Sequence, residues 1–283
     1  MTHPNTEFFL KQYQQVPQMT FMQLHETYEV CATIQEYALL RSFIARIMAN
    51  QAQSHAEALD WVNKSLKALN RLEGQHIYGS DQDFLSAIQS CLSLKISILS
   101  ESDDMRHWNE GIQLAQDILQ TKYPSIFTKD LQDGHGASIA CSLVSLYNRV
   151  EQYDKAMHLC ERIQKAAQER QVSTLEFRAG LLWSITSLLI GKLHRIEDRR
   201  EHFINAVLSA RKVLEPIKDG PDEFAMTAEV LWDYTFILDG SATQPFLSYV
   251  DQWSEHQMLI IFDLLNEHSS EQDSRSEERR VGK

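Results

Sequence analysis

An all-α fold is the class that the sequence predicts, and three observations carry the prediction. The 283 residues include only ten Gly and six Pro, which favours long elements over a turn-rich β architecture. No segment shows a convincing alternation of apolar and polar residues, the pattern of a half-buried strand. Helical periodicity is clearest in HFINAVLSARKVLEP, where apolar residues fall at i, i+3, i+4, i+7, i+10 and i+11: Phe203, Ala206, Val207, Ala210, Val213 and Leu214. Pro216 is expected to end this helix, because proline has no backbone N–H to donate.

Breaks at regular distances divide the chain into helix pairs. They lie near Gly74 to Gly79, from Thr121 to Ser138, at QERQVST and at PIKDGPDE. A leading helix is expected over about 5–25, bent or interrupted at Pro17. The predicted pairs are 26–51 with 54–73, 82–101 with 104–121, 136–150 with 152–170, 176–193 with 197–215, and 222–238 with 243–267.

The second helices of these pairs share a small residue at one position. Aligning HAEALDWVNKSL, WNEGIQLAQDIL, YDKAMHLCERIQ and FINAVLSARKVL places Ala58, Gly111, Ala156 and Ala206 together, at spacings of 53, 45 and 50 residues. A small side chain there lets the second helix lie close against the first. The pattern predicts a repeat architecture, in which each amphipathic pair buries its apolar face against its neighbours.

The third pair resembles a tetratricopeptide repeat (TPR). In LVSLYNRVEQYDKAMHLCERI, Leu143, Tyr147 and Ala156 stand at the positions of the family pattern, and EQYDKA resembles the tight turn between its helices. In the fourth pair, Trp183 resembles the leading Trp of the motif, with Ser187 in its small-residue position. The resemblance implies a divergent TPR-like α-solenoid, a right-handed superhelix of about five antiparallel helix pairs.

Four segments follow from these patterns. Residues 1–25 form an N-terminal helical segment, 26–268 the TPR-like domain, and 269–274 a disordered polar tail. The last segment, 275–283, reads RSEERRVGK and resembles the in-frame translation of a common sequencing adapter, AGATCGGAAGAGCGTCGTGTAGGGAAA. We therefore expect 275–283 to be non-native, with natural sequence continuing past 274, and 270–283 to pack against nothing.

Charge and motifs exclude several functional classes. The formal charge is −12, and the part before residue 275, with 23 basic and 37 acidic residues, carries −14. Nucleic-acid binders need a surplus of clustered Lys and Arg, so direct nucleic-acid binding is not expected. The chain has no phosphate-binding glycine loop, nucleophile elbow or H-E-x-x-H motif, and no two His lie three or four residues apart. We expect neither enzymatic activity, nor a metal site, nor a cofactor.

Four local features each admit a functional and a structural interpretation. His135 in DGHGAS is a flexible base or anion contact, or part of a linker in which Ser138 caps the next helix. SESDD offers calcium ligands, or acidic residues that favour the start of a helix at Met105. Arg199 and Arg200 either contact a partner carboxylate or belong to a solvated face. The tryptophans are expected in the core: Trp61, Trp108, Trp183, Trp232 and Trp253.

Cysteine usage and hydropathy predict a soluble cytoplasmic protein. Cys31, Cys91, Cys141 and Cys160 are far apart and lie in apolar helical contexts, where a free thiol behaves as a small hydrophobe. Such thiols fit a reducing compartment. The N-terminus lacks the basic and apolar regions of a signal peptide, and the longest apolar run, Gly180 to Gly191, is too short to span a bilayer.

The resemblance also implies where a partner would bind. In TPR-like superhelices the first helices line a concave groove, and in the third pair the groove positions are Ser138, Ser142 and Ser145. Small neutral side chains leave space for a partner helix or an extended peptide. The function predicted is a non-enzymatic scaffold that binds a peptide or protein. The alternatives are a regulatory arm of a longer signalling or transcription-regulator protein and, on weaker grounds, a helical enzyme.

Overall fold

The computed structural model describes residues 14–32, 37–70, 81–121, 134–196, 199–220 and 222–239. These residues are almost entirely helical and contain no strand, which confirms the all-α prediction. A short 3₁₀ helix, Val16–Gln18, comes first. The α-helices of the described residues are α1 Phe21–Ala32, α2 Ala38–Gln51, α3 His55–Asn70, α4 Asp81–Glu101, α5 Met105–Thr121, α6 Gly134–Arg149, α7 Tyr153–Arg170, α8 Ser173–Ile196, α9 Arg200–Lys218 and α10 Asp222–Asp239.

From α3 onward, the predicted helices are present and their ends differ from the prediction by at most three residues. The predicted helix 243–267 and the segments 269–274 and 275–283 lie outside the described residues. None of the helices that the structure describes combines the length and the apolar character needed to cross a bilayer.

The first predicted pair is wrong at its start, because 26–51 is not one helix. Two helices, α1 and α2, cover this part of the chain, with Tyr37 preceding α2 in a non-helical conformation. The reason for the early start of α1 is a capping box in the sequence TFMQ. Gln23 N–H donates to Thr20 Oγ1 (3.4 Å), and Thr20 N–H donates to Gln23 Oε1 (2.9 Å). This capping box sets the beginning of α1 at Phe21.

Pro216 does not end α9, contrary to the prediction, since the helix continues to Lys218. A proline within the last turn removes a single hydrogen bond, the one that would reach the Lys212 carbonyl, and its fixed φ is compatible with a helix. The helix ends where Asp219 leaves the helical region at φ −95°, ψ 7°.

The chain divides into two compact units, Met1–Thr186 and Ser187–Lys283. In the first unit each helix from α1 to α7 contacts the next, and α2–α4 and α4–α6 are also in contact. One apolar core joins α1, α2 and α3, with Leu40, Ile44 and Met48 fully buried at its centre. A second joins α4 to α8 around Ile139 and Ile163, which are also fully buried.

In the second unit α9 packs against α10 through Arg211. Its Nε donates to Thr235 Oγ1 (2.8 Å), its Nη2 to Asp239 Oδ2 (2.5 Å), and its guanidinium carbon lies 3.7 Å from the centroid of the Phe236 ring. The largely buried guanidinium is therefore paired with a carboxylate and a hydroxyl of α10, which offsets the cost of burying its charge.

Two residues take the left-handed conformation at helix ends without being glycine. Glu151 (φ 58°) and Gln171 (φ 59°) follow α6 and α7. At the first, Gln152 N–H donates to the Tyr147 carbonyl (2.8 Å) and Glu151 N–H to the Asn148 carbonyl (3.2 Å), which is a Schellman motif. The three-residue turn between α6 and α7 depends on this conformation.

Replacing Glu151 should stabilise the protein if the new residue is glycine. A residue with a Cβ disfavours the left-handed conformation by about 1–2 kcal/mol, part of which is offset by the greater unfolded-state entropy of glycine. We expect Glu151→Gly to raise the free energy of unfolding by about 0.5–1 kcal/mol. Urea denaturation measures it, with Glu161→Gly, exposed in the middle of α7, as the matched control that should lose about 1 kcal/mol. Equal losses at both positions would contradict the argument.

Replacing Gly111 with alanine should destabilise the protein. A Cβ at this position would lie 2.9 Å from Leu146 Cδ1 and 3.2 Å from Leu99 Cβ, so alanine would require the fully buried Leu146 side chain to shift. In an open helix Gly→Ala stabilises, but here we expect Gly111→Ala to lower the free energy of unfolding by about 1–2 kcal/mol. In a Leu146→Ala background the loss should shrink, because the nearest atoms are gone. An unchanged loss there would place the clash elsewhere.

Candidate functional site

A cleft of about 390 Å³ opens between α5, α6 and α7 in the first unit. Its lining comes from one side of each helix: Gln116, Leu119 and Gln120 of α5, Leu143 and Tyr147 of α6, and Asp154, Lys155, His158, Leu159 and Arg162 of α7. Within each helix these residues are spaced at one, three or four positions, so each set forms a continuous face. The tight turn after α6 brings α7 back beside it, so that both helices contribute to the lining.

The floor of the cleft is apolar and is held in place by one hydrogen bond. Leu143, Tyr147 and Leu159 are all buried, with exposed fractions of 7% or less. Gln116 Nε2 donates to the Tyr147 hydroxyl (2.8 Å), which ties the α5 rim to the floor. The phenol ring therefore contributes apolar surface while its hydroxyl is satisfied within the wall.

The rim on α7 carries exposed charged groups. Lys155, His158 and Arg162 stand along it, with one carboxylate, Asp154, at its start. Lys155 Nζ donates to Gln152 Oε1 (2.8 Å) and lies 5.7 Å from the centroid of the Tyr147 ring. The arrangement can seat an apolar group on the floor and an anionic group on the rim.

The three predicted groove serines lie on a different face of α6. With 3.6 residues per turn, the face formed by Ser138, Ser142 and Ser145 is about 150° from the face formed by Leu143 and Tyr147. Ser142 is only 7% exposed, whereas Ser138 and Ser145 are half-buried. The structure does not bring these serines into the cleft.

The predicted repeat-packing residues lie at helix contacts or against the core. Ala58 and Ala156 are buried, and Gly111 meets Leu99 and Leu146. In the second unit, Ala206 Cβ is 3.2 Å from where a Cβ on Gly191 would lie, and Ser187 Oγ donates to the Ala206 carbonyl (3.0 Å). Of the remaining three, Trp183 packs half-buried against the second core, while Leu143 and Tyr147 line the cleft.

The structure assigns local roles to two ambiguous motifs. Ser138 is not a helix cap, as one interpretation held, because α6 begins four residues earlier at Gly134; His135 Nε2 lies 3.0 Å from Ser90 Oγ on α4. Asp104 caps α5, accepting from Arg106 N–H (2.8 Å). Hydrogen bonds from the Arg106 side chain and backbone lower the pKa of Asp104 to about 2. No group of three or more His, Cys, Asp or Glu within the described ranges could hold a metal ion.

The cysteines are buried thiols, and one of them, Cys91, lies within hydrogen-bond distance of Ser65 Oγ. All four are free and buried, which confirms that part of the prediction. Burial raises the pKa of Cys31 and of Cys141 to about 11, and it also raises the pKa of Cys160. These three thiols are therefore protonated at neutral pH and poor nucleophiles.

The remaining single residues differ in their surroundings. Trp61 is buried, Trp108 packs half-buried against the second core, and Trp232 is half-buried beside Phe236, with Lys218 Nζ 4.6 Å from its ring centroid. Trp253 lies outside the described residues. Arg199 and Arg200 are exposed at the start of α9.

Most of the cleft was not anticipated from the sequence. Leu143 and Tyr147 were singled out, but as packing residues, and the residues of α5 and α7 were missed: Gln116, Leu119, Gln120, Asp154, Lys155, His158, Leu159 and Arg162. A signal was present in α7, where Lys155, His158 and Arg162 recur at i, i+3 and i+7 and share one exposed face.

Comparison of this chain with protein-family models finds no match, and comparisons with curated protein sequences and with solved structures also find none. Among the described helices, the cleft is the feature that bears most directly on function.

The hydrogen bond between Gln116 and Tyr147 should be measurable by a double-mutant cycle. Tyr147→Phe keeps the ring on the floor and removes the acceptor, so we expect a loss of about 0.5–1.5 kcal/mol in the free energy of unfolding. In a Gln116→Ala background the same change should cost clearly less, because the donor is already absent. Denaturation curves of the four proteins give the coupling. A coupling near zero would mean that the bond does not hold the rim to the floor.

Proposed function

We propose that this protein is a non-enzymatic interaction scaffold, a TPR-like right-handed superhelix of helix pairs that binds a peptide or a partner helix. The order of helix contacts in the first unit supports the architecture. Taking α2, α4 and α6 as first helices and α3, α5 and α7 as second helices, each first helix contacts its own second helix. The contacts α2–α4 and α4–α6 join first helices of successive pairs, and α3–α4 and α5–α6 join each second helix to the next pair. Stacking of this kind is how repeat proteins bury their amphipathic faces.

The observation that carries the function is the cleft, with its apolar floor and polar rim. A helix that binds in a groove inserts apolar anchors spaced at i, i+3 or i+4, and i+7, and leaves its polar residues to the rim. Leu119, Leu143 and Leu159 come from three different helices and surround such an anchor position. Gln116 and Gln120 add amide groups that can bond to polar groups of a partner.

The proposal places the partner on the cleft rather than on the serine face. Ser142 is almost fully buried, so the serine face offers a ligand mainly Ser138 and Ser145. The cleft joins exposed polar side chains to an apolar floor, which is the combination found in binding sites. A cytoplasmic location belongs to the same proposal and is supported by four free, buried thiols.

A random-peptide selection tests the function. Peptides of about 16 residues, long enough to lie along the cleft as a helix of about 24 Å, are selected on the immobilised protein. Synthetic copies of enriched peptides are then titrated by fluorescence anisotropy. Gln120→Trp, which places an indole on the exposed rim, should weaken their binding at least about tenfold by blocking the cleft.

Gln113→Trp is the matched control for this titration. Gln113 is exposed on the same helix, two turns before Gln120, and does not line the cleft, so its replacement should leave the affinity unchanged. Failure to enrich any peptide, or peptides that both variants bind equally well, would overturn the proposed function. Turnover of a small molecule at the cleft would favour the enzyme alternative.

A further inference from the structure

We propose that the partner of the cleft is an acidic peptide segment, with apolar anchors for the floor and Asp or Glu side chains for the α7 rim; this inference rests on the proposed function. It deepens that proposal by naming the chemistry that the rim recognises. The observation behind it is a row of basic side chains beside the cleft, on a chain whose formal charge is −12.

The basic stripe consists of the cations Lys155, Arg162 and Lys165 together with the imidazole of His158, all exposed on α7. At 100° per residue the four positions fall within about 80° of one another around the helix axis, and they extend over about 15 Å along it. Three of them line the cleft, and Lys165 continues the row by one turn. A partner helix or strand lying along the cleft would meet the stripe over most of its length.

Three acidic residues of α7 lie near the stripe, and one of them, Asp154, lines the cleft. On α7, Asp154 stands at the start of the cleft, Glu161 lies to one side of the stripe, and Glu169 follows Lys165 by one turn. On α5, Asp117 accepts a hydrogen bond from Gln113 Nε2 (2.9 Å) and is not part of the cleft. The rim between Lys155 and Lys165 therefore has a positive surplus, and it favours an anionic partner there.

The apolar floor and the stripe contribute to binding in different ways. Each exposed ion pair contributes about 0–1 kcal/mol, so the leucine floor must supply much of the affinity. The stripe selects the sign of the partner and its orientation, and it accelerates association. Because the remainder of the chain carries a negative surplus, an acidic peptide is repelled elsewhere and directed to this rim.

An acidic peptide fits the cleft better than a nucleic acid does. Binding to a phosphate backbone needs more clustered Lys and Arg than one helical row provides, and binding to unpaired bases needs exposed aromatic rings. Of the two aromatic rings in the lining, Tyr147 is only 7% exposed and is bonded through its hydroxyl to Gln116, which leaves the His158 imidazole as the exposed one. Aliphatic side chains, Leu119, Leu143 and Leu159, make up the rest of the floor.

The test uses the peptides enriched in the selection described above. Charges are changed first on the protein and then on the peptides. The double variant Lys155→Glu/Arg162→Glu should weaken binding about tenfold or more at low salt. The control Lys67→Glu/Lys212→Glu makes the same change in net charge at exposed lysines on α3 and α9, and it should alter the affinity less than about twofold. Synthetic peptides with Glu and Asp replaced by Gln and Asn should bind wild type more weakly than the parent peptides do, and the parent peptides should bind the double variant more weakly still, because the reversed charges repel them.

The outcomes separate this inference from the proposed function. Enrichment of peptides with a net negative charge, together with loss of binding in the double variant and not in the control, supports it. If the enriched peptides are neutral or basic and Gln120→Trp abolishes their binding, the inference of an acidic partner is wrong and the proposed scaffold function is unaffected. Absence of any cleft-dependent peptide would overturn both. Single-stranded DNA that displaced the peptides from the cleft would also overturn the inference.

Discussion

Burial of α6 on almost every side is the constraint on which the first unit depends. From Ile139 to Val144 each consecutive residue is buried, as are Leu146 and Tyr147. A helix that is apolar around most of its circumference needs neighbours on several sides. It contacts α4, α5 and α7 and shares a core with α8. The close approach at Gly111 follows from this crowding, because α5 must fit between α4 and α6.

The same crowding produces the cleft. Both α5 and α7 pack on α6, and the cleft opens where residues of these two helices line it beside Leu143 and Tyr147, which stay buried at its floor. The inward side of α7 supplies Ala156, Cys160 and Ile163 to the core, and its outward side is left for charged residues. Packing therefore determines where the cleft lies, and the exposed residues of α7 determine what it can bind.

Buried polar groups add specificity to the contacts between the first two pairs. Ser42 of α2, Ser65 of α3 and Cys91 of α4 are all fully buried and lie together, with Ser65 Oγ 2.7 Å from Ser42 Oγ and 2.9 Å from Cys91 Sγ. A buried hydroxyl needs a partner, and this trio supplies one only when the three helices have the correct register. It is a structural device, because none of the three has surface to offer a ligand.

The sequence predicts the helices of this molecule more completely than it predicts the cleft. Helix positions follow from local patterns, so ends such as Arg170 of α7 and Thr121 of α5 were predicted, while TFMQ, itself a local signal, was overlooked. Gly111 was recognised as a small residue at a recurring position, but its contacts with Leu99 and Leu146 depend on three helices meeting.

The cleft is harder to predict for a physical reason. The residues that line it lie on three helices, between Gln116 and Arg162 in the sequence. Periodicity shows which face of each helix is apolar, but it does not show which part of that face a neighbouring helix leaves uncovered. The sequence pattern alone therefore could not decide whether the serine face or the Leu143–Tyr147 face of α6 lines the cleft. The positions of α5 and α7 in the structure decide it. The buried residues of α5, α6 and α7 determine how these helices pack, and the exposed residues beside the contacts, here Lys155, His158 and Arg162, can vary without disturbing that packing. The sequence pattern can therefore predict the helices, and a partner must be inferred from the surface.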